Sequence, residues 1–129
     1  MNEAPKRSLR ILIVEDELLI AASLEMSLEG HGHQVLGPVA TVDAARLILE
    51  TERPDLALLD YRLANSTTEP LLPELRQRGI PMCVLSGYGR EQLPEAYADC
   101  QLVEKPFYIR QLLDTINSMG LRGTGSSLS

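Results

Sequence analysis

Apolar residues along the chain fall into two alternating rhythms, short unbroken runs and longer stretches with helical spacing. Residues 9–14 form a nearly continuous apolar run of strand length, which predicts a central strand buried on both faces. Residues 18–29 follow with Leu, Ile, Ala and Met at helical spacing, and the pattern stops at Gly30-His31-Gly32-His33. A second strand is expected over 34–40, and Gly37-Pro38 within it favours an edge position. Thr41 suits the N-cap of a helix that puts Val42, Ala45, Ile48 and Leu49 on one face. Pro54 closes that region, and residues 55–59 read as a third buried strand.

A polar stretch, Ala64-Asn65-Ser66-Thr67-Thr68, separates Asp60 from a short helix near 70–78, which Gly79 ends. Residues 81–85 are the fourth strand, Ser86-Gly87-Tyr88-Gly89 a loop, and 90–99 a weak helix. Its apolar face is thin (Leu93, Ala96, Tyr97), and Pro94 fits only a first turn. Residues 101–104 are the fifth strand, and Ile109, Leu112, Leu113 and Ile116 mark the last helix. Residues 1–7 read as a leader, 8–119 as the one folded domain, and the Gly- and Ser-rich 120–129 as a flexible tail. Five βα units in so short a chain predict an α/β fold, a parallel sheet with helices on both faces.

Composition narrows the function. The 129 residues carry 12 Lys and Arg against 18 Asp and Glu, a formal net charge of −6. That balance argues against a nucleic-acid partner, whose phosphates need clustered basic groups. No apolar run approaches the roughly 20 residues of a membrane span, and the N-terminus has no signal-peptide pattern. Cys83 and Cys100 make neither a disulfide framework nor a redox motif, so a cytoplasmic, reducing home is expected. His31 and His33, in a Gly-punctuated turn at the far end of the strands from Asp60, read as surface turn residues.

Ligands of such folds bind outside the carboxyl ends of the strands, so the polar residues there matter most. Strand one ends in Glu15-Asp16, strand three in Asp60, strand four in Ser86 and strand five in Lys105-Pro106. Three carboxylates brought together raise one another's proton affinity unless a cation compensates. Mg²⁺, or Mn²⁺ in its place, is the hard oxygen-seeking ion suited to that role. Lys105 adds a positive charge and Ser86 a hydroxyl donor, so Asp60 is surrounded by groups suited to an anionic phosphoryl. An Asp carboxylate is a competent nucleophile toward phosphorus, and charge neutralisation carries most of such catalysis.

The sequence resembles a response-regulator receiver domain of the bacterial chemotaxis type over about residues 8–119. The resemblance rests on Ile11-Leu12-Ile13-Val14-Glu15-Asp16-Glu17, Leu58-Leu59-Asp60-Tyr61-Arg62-Leu63, Val84-Leu85-Ser86-Gly87 and Glu104-Lys105-Pro106-Phe107. It implies a flavodoxin-like (βα)5 three-layer sandwich with strand order 2-1-3-4-5, an order for which that chemotaxis protein is a standard example. It also implies Asp60 as phosphoacceptor, and Mg²⁺ held directly by Asp16, through water by Glu15, by Asp60 itself and by the backbone carbonyl of Arg62. Ser86 is then the switch hydroxyl, Lys105 the ion-pair partner, and Lys105–Pro106 a cis peptide. Arg62 and Tyr88, each two residues beyond a site residue, are expected to tune dephosphorylation.

One departure stands out. The family usually carries Tyr or Phe three residues before the Lys, and here that position is Leu102. The loop Leu85-Ser86-Gly87-Tyr88-Gly89 resembles a subset with a Phe-Ala-Thr-Gly-Gly/Tyr motif that lacks this switch aromatic. The resemblance implies a histidine kinase, of the HWE type for that subset, or a phosphotransfer protein as partner, and a downstream protein as listener. A stand-alone monomer or weak dimer is expected, catalysing only its own phosphorylation and dephosphorylation. A receiver excised from a hybrid kinase and a phosphate sink are the nearest alternatives. A flavodoxin-like FMN binder would need a phosphate loop where Glu15-Asp16-Glu17 stand. A haloacid-dehalogenase-type phosphatase would need an acid where Arg62 stands, and a phosphate-independent scaffold would not need the full Asp60, Ser86 and Lys105 set.

Overall fold

The computed structural model describes residues 8–123, so the leader (1–7) and the end of the tail (124–129) lie outside the described residues. Five strands form one sheet: β1 (Arg10–Val14), β2 (Gln34–Val39), β3 (Leu56–Asp60), β4 (Met82–Ser86) and β5 (Gln101–Glu104). Their order is β2-β1-β3-β4-β5, and every pairing is parallel. Four α-helices cover it among the described residues: α1 (Leu18–Gly30), α2 (Val42–Leu49), α3 (Leu72–Gln77) and α4 (Ile109–Ser118).

Alternation along the strands sorts the core into two halves. Leu12, Val14, Ala57, Leu59, Met82 and Val84 pack under α2 and α3. Ile11, Ile13, Leu56, Leu58, Cys83 and Leu85 pack under α1 and α4. Both faces are thereby covered, which is why strands β1, β3 and β4 read as unbroken apolar runs. Leu121, in the region read as tail, still packs against the second half of the core.

The edge position of β2 follows from its sequence. Gly37 has φ +95°, and a Cβ there would lie 2.9 Å from the Val39 amide nitrogen, so only glycine fits. The β1–β2 register shifts between Leu12 and Val14, and Gly37–Pro38 is cis. Thr41 caps α2 as expected, its hydroxyl accepting the Ala44 amide N–H at 3.0 Å. Strands β3 and β4 run one residue later than the apolar pattern marks, so Asp60 and Ser86 are the last residues of strands. Asp55 instead accepts the Arg10 amide N–H through its carboxylate at 2.8 Å.

The fourth of the five expected helices, over 90–99, does not form. Two 3₁₀ turns, Arg90–Gln92 and Glu95–Tyr97, replace it, with Leu93 extended between them (φ −83°, ψ 146°). Pro94 is the physical reason, because it disfavours helical geometry at the preceding residue and donates no amide hydrogen bond. Leu93, Ala96 and Tyr97 nevertheless turn inward, and Tyr97 is fully buried. Arg90 ties the crossover together by donating to the carbonyls of Tyr97 and Cys100. Arg76 on α3 holds it from outside through Asp99 and the Ala96 carbonyl. That exposed ion pair is worth under about 1 kcal/mol, so the inward residues do more to hold the crossover.

The histidine turn holds one surprise. His31 is exposed, but His33 is half-buried and its Nδ1 accepts the Leu9 amide N–H at 3.1 Å. His33 therefore closes the start of β1 instead of being a bystander on the surface.

Removing the Thr41 hydroxyl isolates the cap. Thr41→Ala is expected to lower unfolding free energy by about 1 kcal/mol in urea titration, and Thr41→Ser to retain most of it.

Candidate functional site

Backbone hydrogen bonds bring the strand ends together before any side chain is considered. Tyr61 donates its amide N–H to Leu85, Lys105 to Ser86, and Glu15 to Val39, at 2.8, 2.7 and 2.9 Å. The segments that follow the strands thus stay in register for one more residue. Asp60 consequently lies beside β4, and the Lys105 side chain reaches back over the same crevice.

The carboxylates of Glu15, Asp16 and Asp60 converge there, with one oxygen from each lying within 4.8 Å of the other two. Glu15 and Asp60 are buried, and Asp16 is half-exposed. Lys105 Nζ sits 3.1 Å from Asp60 Oδ1 and 3.4 Å from Glu15 Oε1. Burial, and then Glu15 beside it, pushes the Asp60 carboxyl up to about 7, and Lys105 only partly opposes this. Burial works against the Lys105 ammonium too, but the hydrogen bond to Asp60 and the two carboxylates outweigh it and push its pKa up.

The donor set suits a small hard cation. It offers oxygen atoms alone, on a half-open crevice with room for water, as Mg²⁺ or Mn²⁺ requires. Glu15 already accepts the Glu17 amide N–H on Oε2 and faces Lys105 with Oε1. Both its oxygens are thus engaged within the protein, whereas Asp16 faces the crevice.

That crevice encloses about 450 Å³ and is lined by Asp16, Asp60, Arg62, Ser86, Tyr88 and Lys105, among others. Ser86 is buried, and its hydroxyl oxygen accepts the Tyr88 amide N–H at 2.8 Å. A hydroxyl has one proton and two lone pairs, so the proton stays available for an anion beside Asp60. The Arg62 guanidinium lies 5.9 Å from the Tyr88 ring centre, and its Nη2 is 3.5 Å from the Tyr88 hydroxyl. Of the residues chosen from sequence at the strand ends, Asp16, Asp60, Ser86 and Lys105 border this space, Glu15 adjoins it beside Asp16 and Asp60, and Pro106 faces a different cleft. Leu102 lies apart, half-buried against the α2–α3 side of the core, and Lys105–Pro106 is cis.

Residues 11–117 match the model of the response regulator receiver domain family. The chain belongs to that family. The phyllosphere-induced regulator PhyR of Methylorubrum extorquens is 36% identical to this receiver over 75% of it, but only 38% of PhyR is matched. The receiver domain of Erythrobacter litoralis PhyR, solved in solution, aligns over 95% of this chain and 98% of its own, with TM-score 0.75 and 25% identity. A variant of the anti-anti-sigma factor PhyR from Bartonella quintana aligns with TM-score 0.73 and 30% identity, over 84% of this chain and 47% of that one. The receiver thus spans about half or less of the full-length curated regulators it matches.

Residues beyond the expected set back the receiver's site from the core side. Thr68 is fully buried and donates its hydroxyl to the backbone carbonyl of Asp60 at 2.8 Å. Tyr61 meets Tyr88 and Tyr97 edge-on, at centroid distances of 5.9 and 5.2 Å. Nothing in the polar run before α3 marks Thr68 out, because a buried Thr and a surface Thr read alike. Cys83 is buried, as expected of a small hydrophobe, and burial pushes its thiol up to about 12. No described helix is long and apolar enough to cross a membrane.

The charge at Asp60 has a measurable signature. Its folded pKa lies above the ordinary 3.8, so this group costs the fold stability increasingly as pH rises from about 4 to about 7. Asp60→Asn is expected to raise the melting temperature at pH 7.5 without divalent cation and to flatten that part of the pH profile. Added Mg²⁺ should stabilise the wild type more than the variant; equal gains in differential scanning fluorimetry would contradict the charge argument.

Proposed function

We propose that Asp60 accepts a phosphoryl group from a phosphohistidine on a histidine kinase or phosphotransfer protein. The observation that carries this is the convergence of Glu15, Asp16 and Asp60 within 4.8 Å, with Lys105 Nζ 3.1 Å from Asp60. An Asp60 carboxylate oxygen attacks phosphorus as the P–N bond of the donor breaks. The bonding electrons leave with the imidazole nitrogen, which regains its ring lone pair. Attack by water on the same phosphorus later breaks the new O–P bond, releasing inorganic phosphate and restoring the carboxylate. A divalent ion held by these carboxylates would supply charge neutralisation for the phosphoryl oxygens.

Asp16 would hold Mg²⁺ directly and Glu15 through water, consistent with the contacts that already occupy both Glu15 oxygens. Asp60 and the Arg62 carbonyl would complete the protein ligands in this reading. Lys105 neutralises one phosphoryl oxygen and Ser86 donates its hydroxyl to another. Arg62 and Tyr88 stand over the mouth of the crevice, where they set access for the hydrolytic water. The HWE-type kinase implied by the loop remains part of the proposal, as does a protein listener. An anti-anti-sigma factor among the similar proteins supports an output read by protein contact. The exposed Leu18 and Leu19, just after the acidic pair, give a phosphodonor an apolar edge on which to rest.

Treatment with acetyl phosphate and Mg²⁺, followed by intact-mass measurement, tests the reading. Wild type should gain one hydroxylamine-sensitive phosphoryl adduct and Asp60→Asn none. Lys105→Ala should slow its formation by about 10²-fold, the usual loss on deleting one charge-stabilising donor. An adduct that persists in Asp60→Asn would overturn the assignment.

A further inference from the structure

The ring that usually couples a receiver's site to its surface is absent at Leu102, yet a different tyrosine is wired to the phosphoacceptor. Tyr97 is fully buried in the middle of the helix-less crossover between β4 and β5. Its hydroxyl lies 2.8 Å from the Thr68 hydroxyl, and Thr68 lies 2.8 Å from the Asp60 carbonyl. Thr68 has a single hydroxyl proton, and a carbonyl can only accept. That proton therefore goes to Asp60, which leaves Tyr97 as the donor to Thr68. The chain is directed: Tyr97 to Thr68 to the backbone of Asp60. Burial pushes the Tyr97 phenol up to about 12, so it keeps the proton this direction requires.

Ring contacts reinforce the same path. Tyr61, the residue after Asp60, meets the Tyr97 ring at 89° and the Tyr88 ring at 66°. Tyr88 in turn follows Ser86 by two residues and bonds to its hydroxyl. The crossover is thus held at three points that all report on Asp60: Ser86 where it starts, Lys105 just beyond its end, and Tyr97 between them. The middle contact runs between the fully buried hydroxyls of Tyr97 and Thr68.

We infer that the Thr68–Tyr97 pair couples the state of Asp60 to the conformation of residues 87–100, in place of a ring at position 102. Thr68 and Tyr97 are positioning residues: they touch no reacting atom and act through the backbone of Asp60. Loading Asp60 draws Ser86 and Lys105 toward the new anion. Tyr97 converts the accompanying shift at the end of β3 into a rearrangement of the crossover. Without the hydroxyl pair the acceptor still loads, but the crossover does not follow. This inference rests on Asp60 being the phosphoacceptor.

Beryllofluoride with Mg²⁺ on the full chain separates the two ideas. Fluorine NMR reports loading of Asp60, and amide hydrogen exchange reports protection across residues 87–100. Wild type should load and gain protection there. Tyr97→Phe and Thr68→Val should load as well, with the gain in protection factor reduced about threefold or more. The double variant should lose no more than either single one, as expected of two groups acting as a unit. Thr68→Ser, which keeps the hydroxyl, should behave as wild type. If Thr68→Val fails to fold, the contrast between Thr68→Ser and Tyr97→Phe decides alone. Single variants that respond like wild type, or losses that simply add, would overturn the coupling. A wild type that does not load would overturn the phosphoacceptor reading itself.

Discussion

Like charges crowded at the edge of a hydrophobic core are the constraint around which this receiver is built. Glu15 and Asp60 are buried, Asp16 adjoins them, and water cannot screen the set fully. Lys105 is the protein's own partial answer, but one ammonium does not balance three carboxylates. Asp60 is left with a pKa far above that of a free aspartate. The residual imbalance is what suits the crevice to a small divalent cation. The sheet makes the crowding possible, because its parallel ladders fix the strand ends more rigidly than loops could.

The sheet was the most legible part of the fold. Apolar runs of strand length at 9–14, 55–59 and 81–85 could be buried on both faces only in a parallel sheet. The Gly37-Pro38 pair likewise put β2 at the edge, where it is found. Boundaries were less legible because polar residues can join a ladder when their side chains face a crevice. The apolar pattern stops at 59 and 85 for that reason, yet the ladders include Asp60 and Ser86. The missing helix over 90–99 was half visible in Pro94 and a thin apolar face. What the pattern could not say is that the same three apolar residues would still turn inward without a helix to carry them.

The candidate site was legible where charge carried the signal. Glu15, Asp16, Asp60, Ser86 and Lys105 stand out because charged or polar residues directly follow buried strands. Thr68, Tyr61 and Tyr97 carry no such signature. A Thr in a polar run and a Tyr beside two alanines look ordinary until the chain folds and leaves one hydroxyl facing another. His33 is a parallel case at the far end of the sheet, since its contact with the Leu9 amide depends on where β1 begins. Partnerships between distant neutral groups are set by topology, and a linear pattern does not record them.

The crossover between β4 and β5 has a thermodynamic consequence. An α-helix melts cooperatively, so shifting one means breaking a ladder of backbone hydrogen bonds together. Two isolated 3₁₀ turns have no such ladder, and each closes on one or two bonds of its own. Segments of this kind open locally at a small fraction of the global unfolding free energy. A change of charge at one residue can therefore redistribute their populations while the sheet and its four helices stay intact. In this receiver a stretch without a helical ladder lies beside the crevice, where a modest free-energy input acts on shape.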